Sequence, residues 1–188
     1  MGGVAWSWIV LLGLVTLAVV GGTCRGIDAG ALEVAQSVHP PALDLAASLV
    51  GVLGQSEVTL GIALGLAVAR FRAYPRDALV PLFIVVTIAV EAALKMLVPQ
   101  APPPQERSRA VELLPLFHAP FAYSFPSGHV ARAAFLLRIA HGVPTWAVLL
   151  GVAIMAATRV YLGEHWLSDT IGGAILGIGV ASIARSRR

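Results

Sequence analysis

Three short segments in the second half of the chain hold the side chains best suited to chemistry. Lys95 stands alone at the end of an apolar run, Pro126-Ser127-Gly128-His129 opens another, and Arg159 is followed by His165 and Asp169. Each puts a phosphate-binding or proton-handling group at the end of a segment that otherwise reads as buried in lipid. Ionisable side chains at membrane depth are costly, so these residues are functional candidates by default. Two histidines, an aspartate, a lysine and an arginine at helix ends suggest a metal-free phosphoryl-transfer site.

Pro126-Ser127-Gly128-His129 reads as a helix start, with Ser at a favoured N-cap and Pro near the first turn. Backbone N–H groups there point outward and the helix dipole favours an anion. Gly128 lets that backbone approach a ligand, and His129 in the first turn is placed to donate a proton to it. An ordinary helix cap with an interfacial His is the alternative. His165 and Asp169 are four apart and share a helix face. A carboxylate on one ring nitrogen fixes the tautomer and leaves the other as a lone-pair nucleophile. It also stabilises the cation formed on attack. Arg159 offers a planar fork for phosphate oxygens. A surface ion-pair cluster in a turn is the alternative here. Glu91 precedes Lys95 by four residues in the favourable helical orientation, and either aims Lys95 at the site or neutralises it.

The elements that must position these groups are apolar. The chain has 188 residues, 57% of them hydrophobic and 12% charged. That is the composition of a polytopic membrane protein, and the length allows one domain over residues 1–188. The pI is near 9.6, but the basic residues sit in short clusters between apolar runs, which argues against a nucleic-acid partner. Cys24 is the one cysteine, so no internal disulfide forms.

Six spans are expected, at about residues 4–22, 56–71, 78–98, 127–141, 144–162 and 167–184. The fold class is therefore an all-α, polytopic membrane helix bundle with short interfacial helices. Several spans fall short of the ~20 residues of a full crossing. Val4 to Val20 is read as an uncleaved first span, since no Lys or Arg precedes it. Trp6 and Trp8 fit an interfacial belt or ordinary packing. Gly61/Gly65 and Gly173/Gly177 have small-xxx-small spacing. In residues 23–55, Ala29 to Val38 reads as a short interfacial helix broken by Pro40-Pro41. Leu43 to Leu53 lies at the interface or is a tilted lead into the second span.

With the N-terminus inside, the inner ends carry Arg70, Arg72, Arg76, Arg138, Arg185, Arg187 and Arg188 against the single acid Asp77, as the positive-inside rule asks. Both termini are then cytoplasmic. Alternation of six spans would collect Lys95, Pro126 to His129, Arg159 and Asp169 on the outer face.

The order Lys, then Pro-Ser-Gly-His, then Arg-x5-His-x3-Asp resembles the type-2 phosphatidic acid phosphatase superfamily, which includes bacterial lipid phosphatases and vanadium haloperoxidases. The resemblance covers about residues 40–184, with Thr158 where that family has Ser or Thr. It implies that His165 is a phosphohistidine nucleophile oriented by Asp169, and that His129 protonates the leaving alcohol. It implies that Lys95, Ser127, the Gly128 backbone and Arg159 hold the phosphoryl oxygens. Neither metal nor cofactor is implied. The expected substrate is a lipid phosphate or polyprenyl (di)phosphate in the bilayer, hydrolysed at the extracytoplasmic side; a homo-oligomer is left open.

One position departs from the family pattern of Lys, six residues, Arg, Pro: Pro102 stands where the Arg belongs. A lost clamp weakens transition-state stabilisation. Arg107 and Arg109 in the following loop, and Arg132 one turn below His129, are the candidates to compensate. The loop over residues 99–125 carries Leu113-Leu114-Pro115-Leu116-Phe117, a lipid-facing lid or a packed connector. His118 is read as an ordinary loop histidine, and His39 and His141 take no role. A lipid phosphotransferase with the same site, and a catalytically impaired lipid-phosphate-binding protein, are the alternative functions. Haloperoxidase chemistry suits soluble helical bundles and fits this apolar chain poorly.

Overall fold

The structure is a computed structural model. It describes residues 2–113 and 121–186, without the side chains of residues 2–5 and 76. The described residues include eight α-helices, joined by loops and short 3-10 turns: α1 (Gly2–Val20), α2 (Arg25–Ala35), α3 (Pro41–Val52), α4 (Ser56–Ala73), α5 (Ile84–Leu97), α6 (Gly128–Ile139), α7 (Thr145–Tyr161) and α8 (Leu167–Ser186). Pro41 opens α3, where a missing N–H leaves nothing unsatisfied. The turn after α7 runs through Gly163 at φ 68°, a left-handed conformation that only glycine adopts without strain.

α8 is the central helix, with α6 along one side and α1 along another. The reason lies in its small residues. A Cβ on Gly173 would collide with the Ser127 carbonyl, and one on Gly177 with the Ala131 carbonyl. α8 thus lies directly on the α6 backbone, the close approach that small residues permit. Gly61 and Gly65, with the same spacing, face open space. The core around this contact is built from Ile84, Phe135, Ile139, Leu176 and Ala181, and α7 adds Val148, Val152 and Met155 against Val130 and Ala134. Leu64, Val68, Trp146 and Leu149 face outward, as a bilayer-facing surface would.

The expectation of six spans is corrected. Among the described residues two stretches, Val80–Leu97 and Leu167–Ser186, are long and apolar enough to cross a membrane, or up to four if each bent pair is one span. The pairs are α1 with α2, turned through 89°, and α3 with α4, turned through 44°. The expected spans at 4–22 and 56–71 pass only as members of these pairs. The expected fourth span is α6, of 12 residues. At about 1.5 Å per residue it reaches roughly 18 Å, against a hydrocarbon core of about 30 Å. Its apolar residues are covered by protein: Val130, Ala131, Ala134, Phe135 and Ile139 are fully buried. The fifth, α7, stops at 17 residues. Hydropathy does not distinguish a helix buried among other helices from one buried in lipid.

In residues 23–55, α2 starts earlier than the expected interfacial helix, and α3 is the tilted lead into α4. At the end of the bundle where α4 and α8 finish, basic residues bind helix carbonyls. Arg70 Nη2 donates to the Ile139 carbonyl at 2.7 Å, and Arg185 Nη1 to that of Arg138 at 2.7 Å. Arg187 and Arg188 lie outside the described residues.

Candidate active site

Four helix ends meet at the opposite end: the last turns of α5 and α7 and the first turns of α6 and α8. His165 lies just before α8 and Asp169 in its first turn. Asp169 is fully buried. Its Oδ2 faces His165 Nδ1 at 3.2 Å and accepts the Trp166 N–H at 3.0 Å. Its Oδ1 accepts Gln100 Nε2 at 3.0 Å. With both carboxylate oxygens engaged, the imidazole is held through Nδ1 and presents Nε2. Gln100 Nε2 also reaches Ser168 Oγ at 3.1 Å. Asp28, on α2, accepts the Ser168 N–H and hydroxyl, each at 2.8 Å. The sequence reading passes over Gln100 and Asp28. Gln100 stands within the segment between Lys95 and Pro102, and its polarity in an apolar run was the available signal.

Ser127 occupies the N-cap position of α6, yet its hydroxyl makes no capping bond and its Oγ is buried without a partner. Its N–H donates to the Asp169 carbonyl at 2.9 Å, tying the start of α6 to the start of α8. His129 packs on the α3–α4 corner, where a Cβ on Gly54 would lie 2.9 Å from its Cδ2. Arg159, in the last turn of α7, lies against Gly51 in the same way. Arg159 is buried and its Nε has no partner. Among the described residues no carboxylate lies within salt-bridge distance of it. Arg159, Arg132, His165 and Lys95 all act electrostatically on His129.

Glu91 sits at the centre of the remaining charges. It pairs with Lys95 Nζ at 3.2 Å and Arg132 Nη1 at 2.5 Å, and its carboxylate rests against the Cα of Gly128. Lys95 also lies 5.3 Å from the centroid of the Phe121 ring. Arg132 Nε donates to the Gly54 carbonyl at 3.0 Å. Lys95, Ser127, Gly128, His129, Arg159, His165 and Asp169 are thus brought to one end of the bundle by packing, whatever the number of spans.

Of the three arginines considered for the place of the missing one, Arg132 is the one beside His129. Arg109 is held elsewhere, by Asp44 Oδ1 at 3.1 Å and the His39 carbonyl at 3.3 Å. The hydrogen bond to Asp44 raises the Arg109 guanidinium above its usual range. Asp44 also accepts the Tyr161 hydroxyl. Arg107 is exposed, and its carbonyl accepts Gln36 Nε2 at 2.8 Å. His118 and Leu114 to Phe117 lie outside the described residues.

A cavity of about 540 Å³ opens beside this cluster, with His129, Arg159, Gln55, Glu112 and Glu164 on its walls. His129 and the guanidinium of Arg159 on this wall, with the carboxylate-held imidazole of His165 nearby in the same cluster, offer a proton carrier, an anion clamp and a nucleophile.

Residues 77–187 match the family model of the PAP2 superfamily. A 64-residue stretch is 39% identical to an undecaprenyl-diphosphatase of Sulfolobus acidocaldarius, over 31% of this chain and 30% of that protein. Under a third of that relative's length is therefore matched. The fold is shared with the crystal structure of the first transmembrane PAP2 type phosphatidylglycerolphosphate phosphatase from Bacillus subtilis. That likeness has a TM-score of 0.79 and 20% identity, over 97% of this chain and 94% of that one. Aquifex aeolicus LpxE is similar with a TM-score of 0.66 and 21% identity, over 85% of this chain and 95% of that one. With more than half of its length matched by the family model, the chain belongs to the PAP2 superfamily of membrane phosphatases.

Proposed function

We propose that the protein hydrolyses a lipid phosphate or polyprenyl (di)phosphate through a phosphohistidine on His165, without metal, at the extracytoplasmic face. The observation that carries this reading is the Asp169 contact to His165 Nδ1 at 3.2 Å, set beside His129 and the unpaired Arg159. Asp169 holds the His165 proton on Nδ1, so the Nε2 lone pair is free to attack phosphorus. As the P–N bond forms, the P–O bond to the leaving group (an alcohol from a monophosphate, a phosphate monoester from a diphosphate) breaks and His129 gives its proton to that oxygen. Water then attacks the phosphohistidine, His129 takes its proton, the P–N bond breaks and inorganic phosphate leaves. Arg159, Lys95, Ser127 and the N–H groups at the start of α6 stabilise the phosphoryl oxygens. Such electrostatic support supplies most of the rate in phosphoryl transfer.

The unpartnered Ser127 Oγ and Arg159 Nε favour the reading, because both are groups that an oxyanion would satisfy. The test is phosphate release from a lipid phosphate in detergent micelles. His165→Ala should abolish it, and retained turnover would remove the nucleophile from the mechanism. Vanadate should inhibit competitively, as a trigonal-bipyramidal phosphoryl site requires. Product analysis with a labelled lipid separates hydrolysis from transfer to another acceptor.

A further inference from the structure

α3 turns one stripe toward the end of α7. Asp44, Ala47, Ser48 and Gly51 stand on it, at the spacing of a single helix face. Each of the four has a partner. Gly51 lies against the Arg159 guanidinium, and Ala47 packs with Tyr161 and Leu162. Ser48 Oγ accepts the Val111 N–H at 3.0 Å. Asp44 Oδ1 accepts both the Tyr161 hydroxyl and Arg109 Nε, the latter at 3.1 Å. One carboxylate therefore clasps three segments: α3, the last turn of α7 and the loop after Arg107. Gln36, at the C-cap position of α2, joins two of them again, since its Nε2 donates to the carbonyls of Tyr161 at 2.9 Å and of Arg107 at 2.8 Å.

The same three segments wall the cavity beside His129. Ser48 and Gly51 come from α3, Val111 and Glu112 from the loop, and Arg159 from α7. Arg159 has the least hold on its own position. It is buried, its Nε has no partner, and among the described residues no carboxylate lies within salt-bridge distance of it. A buried cation without a counter-ion stays in place only where its surroundings fix it. Tyr161 stands in the same last turn of α7, and its hydroxyl is anchored on the helix whose Gly51 meets that guanidinium.

We propose that Asp44 and Tyr161 are positioning residues for Arg159, and that their clasp sets the gap between α3 and α7 in which the guanidinium waits for its anion. The inference rests on the phosphatase reading above, in which Arg159 holds the phosphoryl group. Neither Asp44 nor Tyr161 lines the cavity, so both act on the substrate through Arg159. Arg109 belongs to the clasp and not to the phosphate site.

The experiment measures how tightly the purified full-length protein binds inorganic phosphate in detergent. Two readouts serve: the rise of the unfolding midpoint with phosphate, which needs no turnover, and competitive inhibition of phosphate release from dioleoyl phosphatidic acid. Tyr161→Phe should weaken phosphate about tenfold and raise KM alike, with a smaller fall in kcat. Asp44→Ala should do the same, and Asp44→Asn, which keeps an acceptor, should restore most of the affinity. Arg109→Gln should leave phosphate affinity within about twofold. The main-chain bonds from Arg109 to the Leu162 carbonyl at 2.9 Å and from Val111 to Ser48 still hold the loop. A clasp that only staples the fold would lower the unfolding midpoint of Tyr161→Phe and Arg109→Gln alike and leave phosphate affinity unchanged. That result overturns the inference and leaves the phosphatase reading standing. A wild-type protein that neither binds phosphate nor releases it from the lipid overturns both. Should Asp44→Ala fail to fold, Tyr161→Phe, which removes only a hydroxyl, decides alone.

Discussion

The carboxylate of Glu91 rests on the bare Cα of Gly128, in space that a side chain at position 128 would fill. Glu91 is also the shared counter-ion of Lys95 and Arg132, so one contact sets the start of α6 and the charge balance beside it. Gly128→Ala should displace Glu91 and lower kcat/KM by about 10- to 100-fold, roughly 1.4–2.8 kcal/mol. Glu91→Gln leaves the buried Arg132 and the half-buried Lys95 without their shared carboxylate. It should destabilise the fold by about 3–5 kcal/mol, read as a lower unfolding midpoint in detergent.

Gly51 and Gly54 face different parts of their neighbours and should respond differently. A Cβ at 51 meets the end of the Arg159 guanidinium, which can swing aside. Gly51→Ala should keep the unfolding midpoint while raising KM, with kcat/KM down about tenfold. A Cβ at 54 meets the Cβ and Cα of His129, which are fixed to α6. Gly54→Ala should cost about 1–3 kcal/mol of stability as an overpacked contact. Equal effects at the two positions would refute this account of the corner.

On the proposed mechanism, Gln100, which donates to Asp169 Oδ1 at 3.0 Å, positions that carboxylate. Gln100→Ala removes a hydrogen bond to a carboxylate, about 1.5–3 kcal/mol. It should lower kcat with little change in KM, because the group it orients is the one that holds His165. Gln100→Glu sets a second carboxylate against Asp169 and should lose more. A rise in KM alone would show that Gln100 serves binding instead.

The two small-residue pairs give a matched comparison. Gly177→Leu forces α8 away from the Ala131 carbonyl and should destabilise by more than about 3 kcal/mol. Gly61→Leu points into open space and should stay within about 0.5 kcal/mol. Thermal unfolding of both variants in one detergent reads the difference.

The motif residues were legible because their spacing is local. His165 and Asp169 are one helical turn apart, and Ser127 to His129 is a helix start in any context. Residues that act through distant partners were not. Gln100 reaches Asp169 across 69 residues, and Asp28 reaches Ser168 across 140. Gly51 and Gly54 carry no side chain to mark them. The all-helical class followed from composition, but the number of spans did not. α6 carries apolar residues such as Val130, Ala134 and Phe135 that α7 and α8 cover, and sequence alone does not tell that cover from lipid. The expected helix cap at Ser127 fell at the right residue with its hydroxyl unused, a detail that spacing alone does not encode.

Arg159 is a buried cation with no carboxylate in salt-bridge distance among the described residues and an unpartnered Nε. If Arg159 clamps the phosphoryl group as proposed, the unliganded protein is the strained member of the catalytic cycle. Any tetrahedral oxyanion in the medium relieves that strain and should raise the melting temperature, sulfate as well as phosphate and chloride far less. On the proposed mechanism, letting go of the spent phosphate would leave the guanidinium without its anion again, which would make product departure the uphill leg of each turnover.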